Sequence, residues 1–201
     1  MKALVPAAFS AAVLLSQAAV AQTACPVAAD LARGIRIDFA DGGSETYRSA
    51  ATPGVVDVTG HDPDGSTYMM QLAGGFHLLR WEVPGDASSV IAYDYGLPPA
   101  QMPLPQPGAS WRTEVHVTAA EGPREEPQDH RYGKTTQVTI GGCTYTAVEA
   151  VIAYATSDNY VESVTWLPEL GLGYLLWNES TDYTRSPVPA TGISARSTCI
   201  P

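Results

Sequence analysis

The chain has 201 residues, 45% of them hydrophobic, and sets 21 acidic side chains against 11 Lys and Arg for a formal charge of −10. Its nine arginines are scattered singly and it has two lysines, so no cationic cluster exists to displace counterions from phosphates. Nucleic acid is excluded as a partner on that ground, and anionic membrane surfaces are disfavoured.

In chain order, residues 1–21 read as a signal peptide. Lys2 supplies a charged start, Ala3 to Val20 is apolar apart from Ser10, Ser16 and Gln17, and Ala19-Val20-Ala21 offers the small residues a signal peptidase reads. Removing those 21 of the 201 residues leaves a mature chain of 180 beginning at Gln22, with Lys2 lost and a charge of −11. That length suits one domain. Nothing after residue 21 reaches the roughly 20 consecutive apolar residues of a spanning helix, so no transmembrane helix is expected in the mature chain. The expected location is periplasmic or extracellular.

Asp30 to Arg33 suggests one short helical turn; beyond Gly34 the pattern is that of strands. Ile35, Ile37 and Phe39 alternate with more polar residues, Asp41-Gly42-Gly43 turns the chain, and Ser44 to Arg48 returns. Val55 to Thr59 and Thr67 to Leu72 flank the turn residues His61 to Gly65. Phe76 to Val83 follows Gly74-Gly75, and Val90 to Tyr95 extends the series. Residues 96–108 hold five prolines, which cannot donate to a ladder, and so predict a crossover. Trp111 to Thr118 resumes alternation, and Glu121 to Tyr132 reads as a mobile acidic loop. Strands are then expected at Thr135 to Ile140, Tyr145 to Thr156, Tyr160 to Leu167 and Gly173 to Asn178, and a loosely held tail over 185–201.

Short connections make successive strands antiparallel neighbours. The expectation is an all-β fold with at most one or two short helices, an antiparallel meander curled into a half-barrel or open barrel to limit its edges. Residues 22–184 would form the single domain.

Cys25, Cys143 and Cys199 allow three pairings. Cys25–Cys143 is the expected disulfide, because Cys143 opens an ordered strand whereas Cys199 lies near the end of the sequence; Cys25–Cys199 is the alternative. A lipid anchor on Cys25 is a lesser alternative: Ala24 suits a lipobox, but Gln22 stands where Leu is wanted.

The back half carries Pro107-Gly108-Ala109-Ser110-Trp111, strands through Gln137-Val138-Thr139 and Tyr145 to Thr156, and then Thr165-Trp166-Leu167-Pro168-Glu169-Leu170-Gly171. This order resembles secreted bacterial β-sheet proteins of unknown function whose final strands carry an aromatic-x-Pro-Glu-Leu-Gly turn. That group is similar in architecture to the periplasmic lipoprotein-localisation factors, which hold a lipid in an incomplete barrel. The resemblance implies a half-barrel over residues 105 to 180 and leaves function to the site itself.

No catalytic, cofactor or metal motif stands out. Asp62-Pro63-Asp64-Gly65 lacks the later bidentate acid of a calcium loop and reads as a turn. His61, His77, His116 and His130 have no metal-binding spacing, although His77 and His116 fall in strands and could meet. Glu125, Glu126 and Asp129 fall in the expected loop. The aromatic residues offer more: Trp81, Trp111, Trp166, Trp177, Tyr154 and Tyr174 are the candidate ligand-binding residues, able to line the inner face of a curved sheet or to fill it as a core. The expected function is a non-enzymatic binding or carrier module for a lipid or other apolar small molecule. An envelope protein that pairs a partner through a sheet edge is the first alternative, and a hydrolase the second.

Overall fold

Alternating runs punctuated by glycine turns produce thirteen strands among the described residues of a computed structural model, which are 24–155, 159–184 and 186–196. The expected signal peptide and Cys199 lie outside them. The strands are β1 Ile35–Phe39, β2 Ser44–Ser49, β3 Val55–His61, β4 Thr67–Ala73, β5 His77–Val83, β6 Asp86–Asp94, β7 Ser110–Ala119, β8 Gly122–Ile140, β9 Cys143–Tyr154, β10 Val161–Leu167, β11 Leu172–Ser180, β12 Tyr183–Thr184 and β13 Ala190–Ala195. Two short 3-10 turns, Ala28–Ala32 and Pro99–Gln101, are the helical elements. All strands belong to one sheet in the order β12-β11-β10-β9-β8-β7-β6-β5-β4-β3-β2-β1-β13. The fold is all-β and antiparallel, as expected. No helix among the described residues is long and apolar enough to cross a membrane.

The sheet is curled but not closed. Ile35, Ile37, Tyr47, Val58 and Leu72 from β1 to β4 share a buried core with Ile140, Tyr145, Leu167, Leu170 and Leu172 from the far half. Strands so far apart in sheet order meet only if the sheet bends back on itself, and burying both faces of that contact drives the bend. Bulges help: β8 and β9 shift register between Tyr132 and Thr135, β4 and β5 between Gln71 and Leu72, and β10 and β11 between Ser163 and Val164. The two halves also touch through backbone, where Gly173 N donates to Gly75 O at 2.9 Å.

Gly75 shows what that contact requires. It has φ +74°, and a Cβ there would lie 2.1 Å from the carbonyl oxygen of Gly171, in the Pro168-Glu169-Leu170-Gly171 turn. Gly75→Ala is therefore expected to cost about 2–3 kcal/mol from strain and clash together. Gly85→Ala is the control, because Gly85 has φ +86° with nothing within 4 Å. Urea melts of both variants separate the effects: equal losses would show that the close approach carries no energy.

Two segments depart from the sequence reading. Of Glu121 to Tyr132, expected as a mobile loop, all but the turn residue Glu121 is the first part of β8, paired with β7 from Ala119↔Gly122 to Ser110↔Arg131. Its prolines are tolerated because the ladder to β9 begins only at Gln128, beyond Pro123 and Pro127. Its inner face escaped notice because it is polar: Glu126, Gln128, His130 and Tyr132 are all buried. Residues 190–195, within the expected tail, form β13 against β1, from Ile35↔Ala195 to Phe39↔Ala190. A strand of Ala, Thr, Gly and Ser around one Ile has little apolar signal to read.

Cys25 and Cys143 form the expected disulfide, with Cα atoms 5.6 Å apart and a sequence separation of 118. With its sulfur in that bond, Cys25 has no thiol left to carry a lipid. The bridge fastens the N-terminal segment to the start of β9, and Tyr145 Oη donates to Pro26 O at 3.1 Å beside it. Such bonds persist in oxidising compartments.

Candidate functional site

The curl forms a partly open cavity of about 350 Å³ between β2, β4 and β5 on one side and β10 and β11 on the other. One part of its wall is apolar: Met70 and Leu72 of β4, Leu78 and Trp81 of β5, Val164 of β10 and Leu175 of β11. Period two alone would put Leu78 and Trp81 on opposite faces. The β4–β5 bulge pairs Leu72 with Leu78 and Met70 with Trp81, which keeps both side chains inward.

The rest of the wall is acid and tyrosine. Glu45 of β2 is buried and accepts hydrogen bonds from Tyr47 Oη and from Tyr68 Oη, the latter at 2.7 Å. On β10, Glu162 accepts from Tyr154 Oη at 2.5 Å and from Tyr160 Oη at 3.3 Å. Protein surrounds Glu162, yet it keeps partial solvent access, as a residue on a cavity wall does. Burial raises its carboxyl above the ordinary range and the nearby Glu126 adds to the rise, while the two tyrosine hydroxyls oppose it. Burial likewise pushes the Tyr47 and Tyr154 hydroxyls well above their usual range, which keeps them protonated donors.

A second buried cluster lies at the β5–β8 part of the sheet. His77 and His130, each 1% exposed, approach with ring centroids 5.4 Å apart. Trp111 packs on both, at 4.9 and 5.0 Å, and stacks on Tyr95 at 5.9 Å. His77 Nε2 faces the Pro103 carbonyl at 2.7 Å, so Nε2 carries the proton. Gln128 donates its amide to Glu126 at 3.0 Å, which leaves its oxygen to accept from His130 Nε2 at 3.1 Å. Both Nδ1 atoms, and the hydroxyl of Tyr132, are buried without a partner among the described residues. Burial lowers His77 to about 4; burial and the neighbouring His77 lower His130 to about 3.

The candidate aromatic residues divide between these places. Trp81 lines the cavity and Tyr154 holds Glu162. Trp111 belongs to the histidine cluster. Trp166 is a core residue packed on Phe76 at 5.8 Å, and Tyr174 is a core residue near Phe39 at 6.0 Å. Trp177 pairs with Ser163, on the face opposite the Glu162↔Asn178 pair, because the β10–β11 bulge shifts its register. His77 meets His130 rather than His116, which instead faces Glu125 at 2.7 Å on the exposed side. Glu125 and Glu126 point to opposite faces of β8, and Asp129 is occupied by Arg112 and Arg131.

Glu45, Tyr68, Tyr160 and Glu162 are site residues that the sequence reading passed over. Two of their contacts are legible in hindsight: Glu45-x-Tyr47 and Tyr160-x-Glu162 set an acid and a phenol on the same strand face, two residues apart. A larger depression of about 540 Å³, bordered by Arg112, Glu114, Asp129 and Tyr154, is an open surface feature whose charged groups are largely engaged with one another. At the β3–β4 turn, Ser66 N donates to Asp64 Oδ1 at 2.9 Å and Ser66 Oγ to Asp62 Oδ2 at 3.1 Å, so these carboxylates serve the turn. Among the described residues no group of three or more His, Cys, Asp and Glu is placed to hold a metal ion.

No family model and no curated protein matches the chain. Among solved structures it is similar to the hypothetical lipoprotein YmcC from Escherichia coli, at 10% sequence identity and a TM-score of 0.45, over 82% of this chain and 84% of that one.

Proposed function

We propose that this chain is an exported, non-enzymatic binding or carrier module that takes the apolar body of a small molecule into its curled sheet. The observation that carries the reading is the cavity of about 350 Å³ with Met70, Leu72, Leu78, Trp81, Val164 and Leu175 on its wall. Small-molecule sites have this size and this kind of lining, a mostly apolar wall with a few polar groups that orient the ligand. The disulfide supports export into an oxidising compartment, with the periplasm or the exterior as the destination.

Two measurements test the reading. Native mass spectrometry and solvent extraction of periplasmically produced protein are expected to recover a bound amphiphile. Leu175→Trp, which projects an indole into the cavity, is expected to weaken binding of an apolar probe at least tenfold, with the melting temperature kept within a few degrees. Equal probe binding by Leu175→Trp and the parent chain would remove the cavity as the site.

A further inference from the structure

The proline-rich crossover lies against the sheet with few backbone ties. Ala100 rests on Gly54, where a Cβ would lie 2.8 Å from the Ala100 backbone, and Leu104 rests on Gly74, where a Cβ would lie 2.5 Å from Leu104 Cδ2. Met102 is buried among Ala73, Tyr95, Val115 and Val117. Pro98, Pro99, Pro103, Pro105 and Pro107 have no N–H to donate. Among the described residues, the sheet sends residues 97–107 one hydrogen bond, from His77 Nε2 to Pro103 O at 2.7 Å. The crossover is a strap with a single polar latch.

The latch belongs to a pair built for neutral rings. A proton added to His77 or His130 would sit on a buried Nδ1 that has no acceptor within bonding distance. Protonating both would set two like charges on rings 5.4 Å apart. The surrounding groups do not answer that charge. Tyr95 of β6 and Tyr132 of β8 are kept protonated by burial, and Trp111 of β7 and Phe76 carry no charge. Gln128 already joins His130 to Glu126, which is held by Arg124, and Asp129 is engaged by Arg112 and Arg131. Relief comes from the segment least tied down. We infer that residues 97–107 are an acid-released strap: protonation of His77 and His130 lifts the segment from the sheet while the strands stay paired. Lifting uncovers the seat of Met102. Ile91, packed on that seat, is the cross-strand partner of Trp81 on the cavity wall, so the uncovered surface adjoins the cavity. The inference does not depend on what the cavity binds. Both rings are held below their ordinary value while the strap is down, so release is absent above about pH 6.5 and grows as pH falls.

Hydrogen exchange on the full chain, corrected for the intrinsic effect of pH, tests the strap. The amides of Gln101 and Met102, bonded within the strap to the Pro98 and Pro99 carbonyls, report on it, and those of β3 and β9 report on the sheet. From pH 7.5 to 4.5 the strap amides are expected to lose protection at least tenfold, and at pH 4.5 to remain at least tenfold less protected than the strand amides. In the double variant His77→Gln/His130→Gln, whose residue 77 amide can still donate to Pro103 O but takes up no proton, the loss is expected to shrink to less than threefold. Asp94→Asn, which alters the carboxylate bonded to Gly96 N at the base of the strap, is expected to behave as the parent. Equal strap protection at the two pH values, or strap and strand amides exchanging in step at pH 4.5, would overturn the inference. So would a full loss retained in the double variant, or a loss abolished by Asp94→Asn. If the double variant does not fold, the comparison of strap with strands in the parent decides alone.

Discussion

Replacing Cys143 by serine is expected to lower the melting temperature by 10 °C or more. The Cys25–Cys143 bond closes a loop across 118 residues of sequence separation. For a loop of that length the chain-entropy model gives about 4–5 kcal/mol, and each kcal/mol shifts a domain of this size by roughly 2–4 °C. Cys143 is also buried in the core shared by the two halves of the curl, so its loss loosens the N-terminal segment where Leu31 packs. Cys25→Ser should match it, because either change breaks the same bond. The double variant should lose no more than either single one, which also guards against Cys199 taking over as a partner. Differential scanning calorimetry with and without reductant reads the effect, and non-reducing peptide mapping reads the pairing. A recovered Cys25–Cys199 peptide, or a parent chain that melts equally when reduced, would count against this assignment.

The second large effect is pH-dependent. His77 and His130 are buried as neutral rings, lowered from an ordinary value near 6.5 to about 4 and about 3. Between those values and 6.5 the unfolded chain binds protons that the folded chain refuses. Stability is therefore complete above about pH 6.5 and declines as pH falls towards 3–4. At pH 4.5 each histidine withdraws about 2–3 kcal/mol, with some of that sum shared because the two rings oppose each other's protonation. The groups facing the pair are Tyr95, Trp111 and Tyr132, with the Asp129 carboxylate acting to raise His130. Glu162 runs the other way, since a raised carboxyl favours the folded state in acid. The readout is accordingly a difference between chains: the loss of melting temperature from pH 7.5 to 4.5 should be smaller by several degrees in His77→Phe or His130→Phe than in the parent. An identical loss in all three would show that the histidines are not the acid-sensitive groups.

Sequence by itself determined most of the strands, their antiparallel order and the curl, but not the first half of β8 or β13. Ile35-Arg36-Ile37-Asp38-Phe39 and its successors alternate with period two, and Gly42, Gly65, Gly74 and Gly171 sit where turns need positive φ. It also favoured the observed disulfide, because an ordered strand start holds a cysteine where a chain end does not. Local pattern could not reach the site. Bulges decide which aromatic residue faces inward: they carry Trp81 to the cavity and Trp177 away from it, and no propensity marks where a bulge will fall. The polar inner face of β8 looks like a solvated loop until Tyr95, Trp111 and His77 are packed against it. The cavity needs side chains from β2, β4, β5, β10 and β11 at one place, a coincidence of residues up to 133 positions apart, from Glu45 to Asn178. Only the bend of the whole sheet makes it, because the free energy that drives the bend is the burial of the shared core and resides in no single segment.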